Sequence, residues 1–239
     1  MNLMCIDIGN TNIVSGVYKN NQLVDVQRIQ TSKDAINKKL TLDFSFNIAI
    51  SSVVPQIEKY VLSCINKNSI FSVSHINSNI KLNVDVPSDV GNDRICNIKS
   101  ILHSKLYPAI IVDFGSATTY DVIDGQGTFI GGAISPGIDV SAKYLFEKAA
   151  QLNDVEFEFP ENVIGKTTTS NLQSGIMYGG VDAINGMLHR IKKELDYDIK
   201  NIVLTGGFSS LLSKKITLPH TVNPNLTLQG IKHIWDENQ

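Results

Sequence analysis

The chain has 239 residues, 42% of them apolar and 18% charged, and carries a net charge of −2. This is enough material for a sizeable core in one large domain or two ordinary ones, and it excludes a disordered or supercharged protein. The balanced charge, without a basic block, argues against nucleic acid or an anionic membrane as partner, and every apolar run stops well short of a bilayer span.

In chain order, the apolar run ending in Cys5-Ile6-Asp7-Ile8 predicts a strand from Leu3, and Gly9-Asn10-Thr11-Asn12 predicts a tight turn. Further strands are expected at Ile13–Tyr18 and Leu23–Ile29, with Asn20-Asn21 as the turn between them. A polar stretch follows, then a strand at Asn47–Ser51 and a helix opened by Pro55. A short strand at Ile70–Val73 leads to Gly91-Asn92-Asp93-Arg94, after which Ile95, Ile98, Ile101 and Leu102 recur at helical spacing.

The order then repeats. Strands are expected near Ala109–Phe114, Thr118–Ile123 and Thr128–Ala133, with Ile134-Ser135-Pro136-Gly137 as a turn before a helix. A long amphipathic helix is expected from about Leu172 to Leu195, where Gly179-Gly180 permits close packing or a break. A strand at Asn201–Leu204 runs into Thr205-Gly206-Gly207, and short helices close the chain.

The repeat is also visible as a phrase. Asp7-Ile8-Gly9-Asn10-Thr11 is echoed by Asp113-Phe114-Gly115-Ser116-Ala117-Thr118, each copy at the end of an apolar strand. An aspartate there, a glycine that lets backbone N–H groups approach, and small hydroxyl or amide side chains suit phosphate oxygens and a cation. Duplication of the unit predicts an α/β protein of two halves, 1–106 and 107–239, with a cleft between them in which a nucleotide would bind.

Gly165-Lys166-Thr167-Thr168 imitates a P-loop, but the position five before the Gly-Lys pair is Pro160, and the preceding segment is acidic. Proline has no N–H to offer a phosphate, so the P-loop reading is rejected. Asp93 at a helix start is either a proton acceptor beside the Arg94 guanidinium or a capping residue. Thr205-Gly206-Gly207 is either a nucleotide approach or a plain strand-ending turn. The five histidines lack metal-ligand or hydrolase spacing, and Cys5, Cys64 and Cys96 are expected to be reduced thiols in the cytoplasm.

Together these motifs resemble the type III pantothenate kinase family over nearly the whole chain. The resemblance rests on Asp7–Thr11, Gly91-x-Asp93-Arg94, Asp113–Thr118, Gly131-Gly132-x-Ile134-x-Pro136-Gly137, Gly165-x-x-Thr168 with Gln173-Ser174-Gly175, and Thr205-Gly206-Gly207. It implies two duplicated ribonuclease-H-like halves of the acetate kinase, sugar kinase, Hsp70 and actin superfamily. It further implies transfer of the ATP γ-phosphate to the primary hydroxyl of pantothenate, giving 4′-phosphopantothenate on the route to coenzyme A.

By position, Asp7, Ile8, Gly9, Asn10, Thr11, Asn12, Ile13 and Val14 would form the first phosphate loop, and Ser116 would contact ATP. Gly91, Asn92, Asp93, Arg94 and Thr168 would contact pantothenate, with Asp93 as the general base. Asp113 would hold a monovalent cation, potassium or ammonium, beside ATP and Mg²⁺. A cytoplasmic homodimer is expected.

The chain departs from the family in four places: Ser116 stands for threonine, Asn92 and Asn171 for alanine, and Val84 falls where a tyrosine is usual. The alternatives are another small-molecule kinase or phosphatase of the superfamily, or a non-catalytic nucleotide-binding regulator.

Overall fold

The structure, a computed structural model, describes residues 2–40, 46–65, 70–149 and 151–239. Part of the polar stretch before Asn47, residues 41–45, lies outside them. Two compact units are present, one comprising Met1–Tyr107, Ile123–Gly131 and Asn225–Gln239, the other Pro108–Val122 and Gly132–Pro224.

In the first unit, β1 (Asn2–Ile8) pairs antiparallel with β2 (Asn12–Lys19), which pairs antiparallel with β3 (Gln22–Gln30). On its other side β1 runs parallel to β4 (Asn47–Ser52), and β4 runs parallel to β5 (Phe71–Ser72). β1 is covered on both faces, which is why Leu3 to Ile6 reads as an unbroken apolar run rather than an alternating one. Asn20 and Asn21 both take positive φ, 48° and 67°, the left-handed pair that a tight two-residue hairpin turn requires. Ile6, Ile8, Ile13, Ile48, Ile50 and Val61 form the centre of this unit's core.

Three helices join that sheet: α1 (Lys33–Lys39), α2 (Pro55–Cys64) and α3 (Asn92–His103). The sequence shows only a polar stretch where α1 forms. The helix buries just Ala35 and Ile36, so it has almost no apolar period, and its start is marked instead by the Ser32 hydroxyl accepting from the Ala35 N–H. β6 (Lys81–Leu82) is a two-residue strand.

A second sheet repeats the plan with β7 (Ala109–Phe114), β8 (Ala117–Ile123) and β9 (Thr128–Pro136), followed by α4 (Ile138–Lys148) and α5 (Thr168–Glu194). β10 (Asn201–Gly206), α6 (Ser209–Leu212) and β11 (Thr221–Val222) follow. β10 lies parallel to both β7 and β11. The strand order β11-β10-β7-β8-β9 matches β5-β4-β1-β2-β3 member for member, and β6 adds at the first residues of β9. The duplication read in the motifs is thus a duplication of topology.

Two elements differ from the sequence expectation. β9 continues through Ile134, Ser135 and Pro136, where a turn is expected, with the Ser135 hydroxyl reaching the Thr118 carbonyl at 3.4 Å. The chain ends not in short helices alone but in α7 (Leu226–Glu237), a 12-residue helix of the first unit laid against α3. Ser100 Oγ donates to Leu226 O at 2.6 Å, Thr227 Oγ1 donates to Asn97 Oδ1 at 2.9 Å, and the buried Lys99 ammonium meets Glu237 at 2.6 Å. Helical periodicity cannot show that a C-terminal helix returns to the N-terminal half.

α5 runs unbroken for 27 residues through Gly179-Gly180. A Cβ on Gly180 would sit 2.8 Å from Ile138 Cδ1, so this glycine serves close packing of α5 on α4. Among the described residues, no helix is long and apolar enough to cross a membrane.

Candidate active site

Asp7 is the penultimate residue of β1, and Gly9 to Thr11 form the turn into β2. The turn is closed by the Gly9 N–H donating to Asn12 O at 3.0 Å, while Ile8 and Ile13 pair beneath it and are fully buried. Asn10 and Thr11 are exposed at the tip. Ser51, buried on the neighbouring β4, donates from Oγ to Asp7 Oδ1 at 3.0 Å. Cys96, fully buried on α3, has a side-chain hydrogen bond with Ser51, and burial followed by the Asp7 charge keeps it a thiol. These contacts fix the Asp7 carboxylate at the mouth of a buried strand. Ser51 gave no signal in sequence because its partner is 44 positions away.

Asp93 lies in the first turn of α3, half-buried, with Gly91 as the preceding cap residue. Its Oδ1 accepts the Arg94 N–H at 2.8 Å, so the side chain folds back over the helix start. A Cβ on Gly91 would stand 2.6 Å from that oxygen, so glycine is what leaves room for the carboxylate. Burial raises the Asp93 carboxyl above its ordinary value of 3.8, against the lowering pull of the Arg94 N–H and guanidinium. The alternatives of cap and acceptor are therefore not exclusive: Asp93 takes one backbone donor and is also poised as a stronger base than an exposed aspartate. Arg94 stacks its guanidinium over the Phe129 ring at 5.4 Å. Asn92 donates from Nδ2 to Ser52 O at 3.1 Å, tying the start of α3 to the end of β4 and hence to the strand beside Asp7.

In the second unit Asp113 is half-buried near the end of β7, level with Thr205 on β10. Gly206 has φ +87°, and a Cβ there would lie 2.5 Å from Asp113 Oδ1 and 2.6 Å from Phe114 N and O. Glycine is required on both counts, and Thr205-Gly206 is the backbone wall beside Asp113. Ser116 lies in the turn closed by Gly115 N–H to Ala117 O at 3.0 Å. Thr168 is the exposed first residue of α5.

The P-loop imitation has a structural origin. Thr167 is the N-cap of α5 in a reciprocal capping box with Ser170, whose hydroxyl also accepts from the Lys166 N–H at 3.1 Å. No strand leads into it, since residues 151–166 form neither helix nor strand, and Lys166 is exposed. A glycine, a threonine cap and a helix start yield the same letters as a phosphate loop without its strand.

A feature with no sequence signal is a cavity of about 450 Å³ in the second unit, bounded by Thr118, Tyr120, Ser135, Ile138, Asn171 and Ile176. It includes Asn171, one helical turn after Thr168. Among the described residues, no group of three or more His, Cys, Asp or Glu side chains is placed to hold a metal.

Two sheets of one strand order, each with an aspartate at the mouth of its first hairpin, define the actin-like ATPase and sugar-kinase fold. Solved structures agree on that fold. The chain resembles a Campylobacter jejuni protein described as a Baf family transcriptional activator, with a TM-score of 0.66 at 20% identity over 98% of both chains. It also resembles the activator of 2-hydroxyisocaproyl-CoA dehydratase from Clostridium difficile, with bound ADPNP, at TM-score 0.53 and 12% identity over 100% of this chain and 96% of that one.

The particular family follows from sequence. The profile of type III pantothenate kinase matches residues 3–190. The type III pantothenate kinase of Geobacillus sp. (strain WCH70) is 37% identical over 253 residues, covering 99% of this chain and 98% of its own. That of Exiguobacterium sibiricum is 37% identical over 254 residues, covering 99% and 100%. The chain belongs to the type III pantothenate kinase family.

Proposed function

We propose that this protein is the pantothenate kinase its family membership implies, moving the γ-phosphoryl group of ATP to the primary hydroxyl of pantothenate, with Asp93 as the base. The observation that carries the assignment of the base is its setting. Asp93 is half-buried, its carboxyl is raised by burial, and a guanidinium stands next to it in the chain. Phosphoryl transfer asks little covalent chemistry of a protein and much positioning and charge neutralisation. In this reading Asp7 to Val14 and Ser116 orient the triphosphate, Asp93 accepts the hydroxyl proton, and Gly91, Asn92, Arg94 and Thr168 hold pantothenate. The Asn92 amide nitrogen also donates to Ser52 O, which anchors the start of α3. Phosphorylation of pantothenate by the purified protein, followed as ADP release, tests the assignment.

Asp113 is proposed to hold potassium or ammonium. Its carboxylate is half-buried against Gly206. Mg²⁺ would then ride on the phosphates with most of its waters. One partly buried carboxylate near a triphosphate suits a large, weakly hydrated monovalent ion, which cancels their repulsion. Rates should rise steeply when potassium replaces sodium at constant ionic strength and magnesium, and Asp113→Asn should lower the rate and flatten the response. Equal rates in sodium and potassium would remove the cation from the mechanism.

A homodimer is proposed from the family resemblance; Ile134, Tyr144, Val163 and Ile164 are apolar side chains that the second unit leaves exposed. Light scattering at assay concentration should give twice the mass of one chain, and a fully active monomer would contradict it.

A further inference from the structure

Thr31 is the first residue after β3, and nothing in the chemistry above uses it. Its hydroxyl donates to Gly9 O at 2.7 Å, and its backbone N–H donates to Thr11 O at 2.9 Å. Both accepting carbonyls belong to the turn between β1 and β2. A trans peptide lies in one plane, with its C=O and the following N–H pointing in opposite directions. Drawing the Gly9 carbonyl to Thr31 therefore turns the Asn10 N–H away from Thr31, and drawing the Thr11 carbonyl turns the Asn12 N–H the same way. Backbone N–H groups turned outward in this way are donors that an anion can take up.

The second hairpin carries the same device at the same place in the repeat. Gly137 stands 106 positions after Thr31, the interval that separates Asp113 from Asp7, and it too is the first residue after the third strand of its sheet. Its N–H donates to Ser116 O at 3.0 Å, and Ser116, like Thr11, is the residue just before the one whose carbonyl closes its turn. The Gly115 carbonyl lies against the face of Gly137 where a side chain would begin, and a Cβ there would also be 2.8 Å from Ser116 O. In one copy a hydroxyl reaches the first carbonyl of the turn; in the other the carbonyl comes up to a bare Cα.

We propose that Thr31 is a positioning residue for nucleotide binding: it holds two peptide planes of the Gly9–Asn12 turn so that their N–H groups face the ATP phosphates. This rests on the reading of Asp7 to Val14 as a phosphate loop. Thr31 acts through the loop and touches no substrate itself.

The test compares Thr31→Val, which keeps the shape and loses the hydroxyl, with Thr31→Ser, which keeps the hydroxyl. Each full-length variant is titrated with adenylyl imidodiphosphate and Mg²⁺ by calorimetry, alongside steady-state kinetics and thermal melting. Thr31→Val should bind the analogue about five- to tenfold more weakly and raise the ATP KM by the same factor, the scale of one lost hydrogen bond. The pantothenate KM should stay within about twofold, and Thr31→Ser should restore the analogue affinity. A merely structural role would instead lower the melting temperature and shift both KM values together, which overturns the proposal. Analogue binding unchanged in Thr31→Val while Asp7→Ala weakens it overturns this proposal alone. Binding unchanged in both variants overturns the proposal together with the phosphate-loop reading beneath it.

Discussion

Asp93→Asn should lower turnover with pantothenate by about 10²–10⁴, the scale of a lost general base, while nucleotide binding and the fold persist. The structure adds two consequences. Because burial raises the Asp93 carboxyl, the base is lost at a pH above the ordinary carboxylate value of 3.8. The wild-type kcat/KM profile should therefore fall on the acid side from that raised position, and Asp93→Asn should lose this limb. The sign for stability is the opposite. A carboxyl whose folded pKa is raised costs the folded state more as pH climbs through that pKa, so the neutral amide should melt no lower than wild type at pH 7–8. A folded Asp93→Asn protein with near-normal turnover would sink the assignment.

The second large effect separates the true phosphate hairpin from its imitation. Asp7→Ala should cripple activity, because it removes the carboxylate that Ser51 holds at the mouth of β1. Lys166→Ala should leave the apparent ATP affinity within about twofold, since the ammonium is exposed and the Gly-Lys-Thr segment serves to start α5. Steady-state ATP titrations of the two variants decide it, and the reverse ranking would mean that the Gly165–Thr168 segment binds the phosphates.

What the sequence makes legible here follows from which interactions are local. Strands β1 to β4 and β7 to β10 announce themselves as apolar runs with turn residues between them, and the duplicated Asp-x-Gly phrase marks both hairpins. The helix start at Gly91 and the role of Pro55 are equally local. What stays hidden is carried by distant partners. Ser51 supports Asp7, Asn92 reaches Ser52, and Thr31 holds Gly9 from 22 positions away. None of these has a spacing that single-sequence periodicity can report. α7 returns to α3 through Ser100, Asn97 and a glycine, Gly230, pressed on Cys96 O, contacts that span more than half the chain. The exposed apolar residues of the second unit are equally silent in sequence, because nothing local distinguishes Ile164 from a core isoleucine.

The central claim is that this protein phosphorylates pantothenate, and it is tested most directly by ADP release in a coupled assay run with and without pantothenate. The assay uses saturating ATP, Mg²⁺ and potassium. ADP should form in stoichiometric step with pantothenate consumed and should fall to background when pantothenate is withheld or when Asp93→Asn replaces the wild type. ADP release that is indifferent to pantothenate, or no release at all from a folded protein that still binds ATP, would contradict it.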